Sequence, residues 1–185
     1  MVKVVDPTDA GTQPRGKQIR RPHGIWYTPT TGIWQTVWLE KVPASFIGIV
    51  DLVPDVDKSQ VEITARIAGD ARRIVVNVFD GEQKIATEEG TANKPLRMAL
   101  EKPKLWSPDS PHLYDVTVEL RDDERTIDKV RSYFGMRKIS LGKDKDGLTR
   151  ILLNDKFLFQ YGTLDQGFWP DGLYTPASEA AMAYD

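Results

Sequence analysis

Between residues 43 and 141 apolar and polar positions alternate in short runs, and a period of two predicts strands rather than helices. Residues 60–68 show it most cleanly: Val61, Ile63, Ala65 and Ile67 fall on one face, Glu62, Thr64 and Arg66 on the other. Residues 46–53 form a run ended by Pro54-Asp55, and residues 73–79 a run closed by an Asp80-Gly81 turn. Residues 96–100 follow. Residues 112–120 then set Tyr114, Val116, Val118 and Leu120 against Leu113, Asp115, Thr117 and Glu119, and residues 126–134 lead to Gly135. Six or seven short strands separated by turn residues predict an antiparallel β-sandwich of about 100 residues. Each inward Val, Ile or Leu contributes roughly 1.5–3 kcal/mol of burial. That stretch is expected to fold on its own.

The flanks have a different texture. Asp6-Pro7, Gln13-Pro14, Arg21-Pro22 and Thr28-Pro29 interrupt residues 1–30, so no long periodic element is expected there. The small basic cluster of Arg15, Lys17, Arg20 and Arg21 reads as a solvated loop. Residues 33–40 predict a strand with apolar groups on both faces: Ile33, Val37 and Leu39 on one, Trp34 and Trp38 on the other. Pro103, Pro108 and Pro111 make residues 102–111 a rigid extended connection, with Leu105 and Trp106 expected to cap one end of the sandwich. Near the end of the sequence two apolar runs hinge at Asn154-Asp155. A polar loop over residues 162–172 follows, and then Ser178 and Glu179 open a helix. Strand, loop and helix start a β/α unit, and the sequence is expected to be a piece of a larger protein.

Charge and chemistry narrow the picture mostly by exclusion. A net charge of −2 gives no reason to expect nucleic acid or an anionic membrane as partner. There are no cysteines, so disulfides and thiolate metal sites are out, and no apolar run approaches the roughly 20 residues that span a bilayer. His23 and His112 are the only histidines and neither has a second ligand at helical or strand spacing, so no metal is expected. No phosphate-binding Gly loop and no Gly-x-Ser-x-Gly elbow occurs, and no cofactor is expected.

Four stretches, in this order and spacing, resemble glycoside hydrolase family 2, the β-galactosidase, β-mannosidase and β-glucuronidase group. Thr31-Gly32-Ile33-Trp34-Gln35-Thr36-Val37-Trp38-Leu39-Glu40 resembles the last strand of its N-terminal jelly-roll domain. Leu105-Trp106-Ser107-Pro108 through His112-Leu113-Tyr114 resembles the stretch near the end of its immunoglobulin-like domain, and Ser132-Tyr133-Phe134-Gly135-Met136-Arg137-Lys138-Ile139 the strand leading out of it. Leu152-Leu153-Asn154-Asp155-Lys156-Phe157-Leu158-Phe159 resembles the hairpin that opens the catalytic TIM barrel.

The resemblance implies an all-β, immunoglobulin-like antiparallel sandwich over residues 42–142. The tail of a jelly roll would lie before it at 1–41, and the start of a TIM barrel after it at 143–185. It implies a parent that hydrolyses terminal β-linked sugars with retention, using two carboxylates about 5 Å apart. In the family both are glutamates on later barrel strands, so no catalytic residue is expected in this chain. Barrel sites gather at the C-terminal strand ends, which makes Asp165, Gln166 and Trp169 the candidate substrate contacts in the parent. Carbohydrate is then the partner of the whole enzyme. A second reading is a free-standing carbohydrate-binding sandwich with Trp106 and Trp169 as platforms. The orphaned run 33–39 is further expected to pair with another sheet edge, including that of a second copy.

Overall fold

The computed structural model describes every residue except Gly167. Two compact units separate within it, one formed by Glu40–Gln160 and one by Met1–Leu39 together with Tyr161–Asp185.

The first unit contains β1 (Phe46–Asp55), β2 (Gln60–Ala68), β3 (Arg73–Asp80), β4 (Gln83–Thr91), β5 (Leu96–Ala99), β6 (Tyr114–Asp122) and β7 (Arg125–Phe134). It also contains β8 (Ile139–Lys143), β9 (Thr149–Leu153) and β10 (Lys156–Phe157). β1, β2 and β5 make one antiparallel sheet in the order β1-β2-β5, and the second runs β4-β3-β6-β7. Between them lies the core. Val61, Ile63 and Ala65 of β2 and Met98 of β5 meet Ile74, Val76 and Val78 of β3 and Tyr114, Val116, Val118 and Leu120 of β6, all buried. The three-plus-four sandwich is of the immunoglobulin-like kind. The amide of Ile47 donates to Asp128 Oδ2 at 2.8 Å, tying β1 to β7 where the two sheets come together.

The period-two reading placed the core correctly because one face of each central strand is dry. It missed β4, whose only large apolar residue, Ile85, is exposed; this edge strand is held by its ladder to β3 and by Arg73 Nη2 to Glu89 at 2.9 Å. Residues 33–40 form no strand. They join none of the named sheets, and Ile33, Trp34, Val37, Trp38 and Leu39 are exposed. A strand requires a neighbour to satisfy its amides, and apolar content alone does not supply one.

The hinge at Asn154-Asp155 is a two-residue turn. Both residues have positive φ, 50° and 63°, and Leu153 pairs with Lys156 across it. Its ladder is shorter than the pattern suggests, since residues 158–161 lie beyond β10, while β8 adds a third strand in the order β10-β9-β8.

In the second unit, Gln18 and Tyr27 form a parallel bridge, with the Tyr27 amide donating to the Lys17 carbonyl at 2.8 Å. Trp169 and Leu173 form an antiparallel one. Helix α1 (Glu179–Tyr184) starts where its sequence signals say, with Ser178 Oγ accepting the Ala181 amide at 3.1 Å and Glu179 in the first turn.

Candidate functional site

The second unit brings together segments more than a hundred residues apart in sequence. At its centre is Gln18, 8% exposed. Its side-chain Oε1 accepts from the Thr30 amide at 3.0 Å and the Thr30 hydroxyl at 3.3 Å, and its Nε2 donates to the Tyr174 phenol oxygen. A buried amide whose two ends are both engaged holds one orientation, because an unmade bond there would cost about 1–3 kcal/mol. Around Tyr174 the rings converge. Trp34 lies 6.2 Å from it and Phe168 5.9 Å, and Phe168 in turn contacts Tyr27 at 5.8 Å. The Thr175 hydroxyl donates to the Trp34 carbonyl at 3.4 Å. Beside this cluster is a cavity of about 630 Å3, lined by Gln18, Thr30, Trp34 and Tyr174 and by the charged pair Asp6 and Arg15.

Asp165 and Gln166 are exposed and Trp169 is half-buried. The Trp169 amide donates to the Leu173 carbonyl at 2.7 Å and the Leu173 amide returns a bond at 3.1 Å, closing a tight loop in which Leu173 has φ 58°. That loop delivers Tyr174 to the cluster. The described residues lining the cavity do not include Asp165, Gln166 or Trp169. Sequence reasoning passed over Gln18, Thr30 and Tyr174, since single polar residues in irregular segments carry no periodic signal. Trp34 stood out as large and apolar, but as part of a strand.

The sandwich has its own concavity, a groove of about 430 Å3 at one end lined by Leu52, Pro54, Trp106, Leu113, Tyr133 and Arg137. The Trp106 amide donates to the Met136 carbonyl at 2.9 Å, and its carbonyl accepts from Asn154 Nδ2 at 3.0 Å. The guanidinium carbon of Arg137 stands 4.9 Å from the Trp106 ring centre, so a cation already occupies the indole face. Nearby, Tyr114 stacks on Phe134 at 5.5 Å, meets His112 edge-on at 4.8 Å and accepts the Lys104 amide on its hydroxyl at 2.7 Å. Asp80 pairs with Lys104 Nζ at 2.7 Å, and that hydrogen bond holds its carboxyl below the usual carboxylate range. His112 Nε2 is 3.2 Å from Asp80 Oδ1 but lacks hydrogen-bond alignment. These contacts are structural in character. They fasten the proline-rich connection to the sandwich.

Among the described residues no group of three or more His, Cys, Asp or Glu side chains could hold a metal ion, and no helix is long and apolar enough to cross a membrane.

The family model for glycosyl hydrolases family 2 matches residues 48–137, from β1 to just beyond β7. These residues are a family 2 glycosyl hydrolase domain. The chain is 28% identical over 124 residues to the β-galactosidase large subunit of Leuconostoc lactis, covering 62% of this chain and 20% of that protein. It is 32% identical over 130 residues to a putative β-glucuronidase of Formosa agariphila, covering 64% of this chain and 12% of that protein. Among solved structures, the apo β-glucuronidase of Ruminococcus gnavus superposes with a TM-score of 0.58 at 19% identity, over 72% of this chain and 22% of that one. This likeness shows the fold of the family 2 domain. The chain spans a fifth or less of the length of these two curated relatives.

Proposed function

We propose that the family 2 domain is a non-catalytic spacer in a retaining glycoside hydrolase that acts on terminal β-linked sugars. The observation that carries this reading is that the family match falls on the sandwich, whose interior is apolar and whose groove at Trp106 has its indole covered by Arg137. A spacer needs a rigid body, and a close-packed core supplies one. On this reading residues 1–41 belong to a jelly roll and residues 143–185 open a TIM barrel. The two glutamates that act as acid/base and nucleophile come from outside this sequence. Asp165, Gln166 and Trp169 then contribute sugar contacts in the whole enzyme, and the exposed apolar side chains of residues 33–39 seek a covering layer in a neighbouring domain or a second copy.

Incubating the chain with a panel of nitrophenyl β-glycosides is expected to release no nitrophenol. Hydrolysis abolished by a point substitution within these 185 residues would refute the spacer reading. The alternative of a carbohydrate-binding sandwich with Trp106 and Trp169 as platforms needs both rings open to a ligand; Arg137 lies over the Trp106 ring and Trp169 is half-buried.

A further inference from the structure

We propose that β8 is a self-pairing edge, through which two copies of the chain join antiparallel about a two-fold axis at Leu141. The inference does not rest on the spacer reading; it starts from the backbone. β8 lies at one side of the β10-β9-β8 sheet, and among the described residues no strand stands on its other side. The bonds to β9 fix which groups face outward. Asn154 donates its amide to the Lys138 carbonyl at 2.8 Å, and Asp144 donates its amide to the Leu148 carbonyl at 2.9 Å. Ser140 with Leu152 and Gly142 with Arg150 continue that register, so these residues of β8 direct their N–H and C=O groups to β9. Ile139, Leu141 and Lys143 direct theirs away from the sheet, where only solvent or another edge can meet them.

A second copy of β8 satisfies all of these outward groups at once. With Leu141 opposite Leu141 of the second copy, Ile139 falls opposite Lys143, and Lys143 opposite Ile139. Each of these pairs exchanges both of its N–H···O bonds. The side chains agree with the backbone. Ile139 is 64% and Leu141 73% exposed, and Leu141 shares its face with its β9 neighbour Ile151. Pairing sets Ile151, Leu141 and their two copies in one apolar row across four strands. Lys143 Nζ donates to Thr149 Oγ1 at 2.8 Å, which holds the ammonium on its own chain and leaves the methylene stem to cover Ile139 of the second copy. On the opposite face the same register sets Gly142 against Ser140, and Asp144 against Lys138, a pair of opposite sign.

The other edges are blunted. β4 carries Glu88, Glu89 and a register shift, β5 and β10 are short, and β1 and β7 are tied to each other by the bond from Ile47 to Asp128. β8 has an unbroken register and a single charge, at its end. A contact of this size belongs with weak isologous dimers, with a dissociation constant of about 10–100 µM.

The test uses the full chain. Sedimentation velocity from about 5 to 500 µM is expected to show monomer giving way to dimer. Amide exchange followed by NMR over the same range reads the register. Protection at Ile139, Leu141 and Lys143 is expected to rise several-fold with concentration, while Ser140 and Gly142, already bonded to β9, stay constant. Leu141→Pro removes one outward N–H, spares the β9 ladder and should hold the chain monomeric. Leu141→Lys and Leu141→Glu each oppose like charges at the axis and should weaken self-association about tenfold or more. Mixing these two variants is expected to restore a dimer with one copy of each, which also shows that both are folded.

A monomer throughout the range, protection that does not alternate along β8, a dimer that Leu141→Pro leaves intact, or charge variants that fail to rescue each other would each overturn the proposal. So would a dimer lost in Val37→Asp and kept in Leu141→Pro, which assigns the association to residues 33–39. Nitrophenyl glycoside turnover is a separate readout, and neither oligomeric state bears on the spacer reading.

Discussion

Asn154 fastens the β9–β10 turn to the end of the sandwich, and the structure lets the cost of losing it be worked out in parts. Its Oδ1 accepts the Lys138 amide at 3.0 Å, its Nδ2 donates to the Trp106 carbonyl at 3.0 Å, and its backbone amide donates to the Lys138 carbonyl at 2.8 Å. It does this at φ 50°, a conformation that asparagine tolerates and alanine resists. Asn154→Ala deletes two side-chain hydrogen bonds, about 1 kcal/mol each, and adds about 1 kcal/mol of backbone strain. The expected loss is therefore about 3 kcal/mol. Asn154→Gly deletes the same bonds without the strain and should cost about 2 kcal/mol. Asn154→Asp keeps the acceptor and loses the donor, for about 1 kcal/mol. Urea unfolding of the full chain followed by far-UV circular dichroism measures these differences as shifts in the sandwich transition. Hydrogen exchange at the Lys138 amide, whose acceptor is removed in the Ala and Gly variants, gives a local check. An alanine variant within about 0.5 kcal/mol of the parent, or a glycine variant less stable than alanine, would refute this account of the turn.

Tyr114→Phe leaves the Lys104 amide without its acceptor and should cost about 1–2 kcal/mol, read from the same transition, while the stack on Phe134 persists. Glu119 is pulled from 4.5 to about 2, chiefly by its hydrogen bond from Arg121 and then by Lys129. A carboxyl with a depressed folded value stabilises above its unfolded value, so this contribution is complete above about pH 4.5 and fades as pH falls toward 2. Lys129 is nearly half exposed, and solvent screening reduces the contribution to about 1–2 kcal/mol. Glu119→Gln should flatten the stability profile in that window, and an unchanged acid limb in urea titrations at stepped pH would count against the pairing.

Alternation along the chain made the sandwich legible because the core positions of β2, β3 and β6 recur at every second residue, although Val75 and Thr117 are buried on the opposite face. β4 was illegible for the converse reason. Only Ala86 of this strand packs against the core, so its conformation is set mainly by the backbone ladder to β3, and Glu88 and Glu89 carry no trace of that ladder. Residues 33–40 misled in the other direction, since their apolar side chains promise a covering layer that the described residues do not provide. The turn at Asn154-Asp155 and the helix at Ser178 depend on local chemistry alone, and both appear where that chemistry put them. The cluster at Gln18 depends on a contact with Tyr174, 156 positions away. Pair contacts of that range leave no mark on the pattern of a single sequence.

The bond from Ile47 to Asp128 carries a consequence for how the domain transmits its geometry. It pins the place where the chain arrives to the middle of the last sandwich strand, and the chain leaves that strand at Phe134, six residues on. At about 3.3 Å per residue, arrival and departure are about 20 Å apart along one flank. On the spacer reading proposed above, these two fixed points on one flank make the sandwich a strut of set length. Lengthening or trimming β7 by a pair of residues would reset that stand-off by about 7 Å while leaving every inward-facing side chain on its original face.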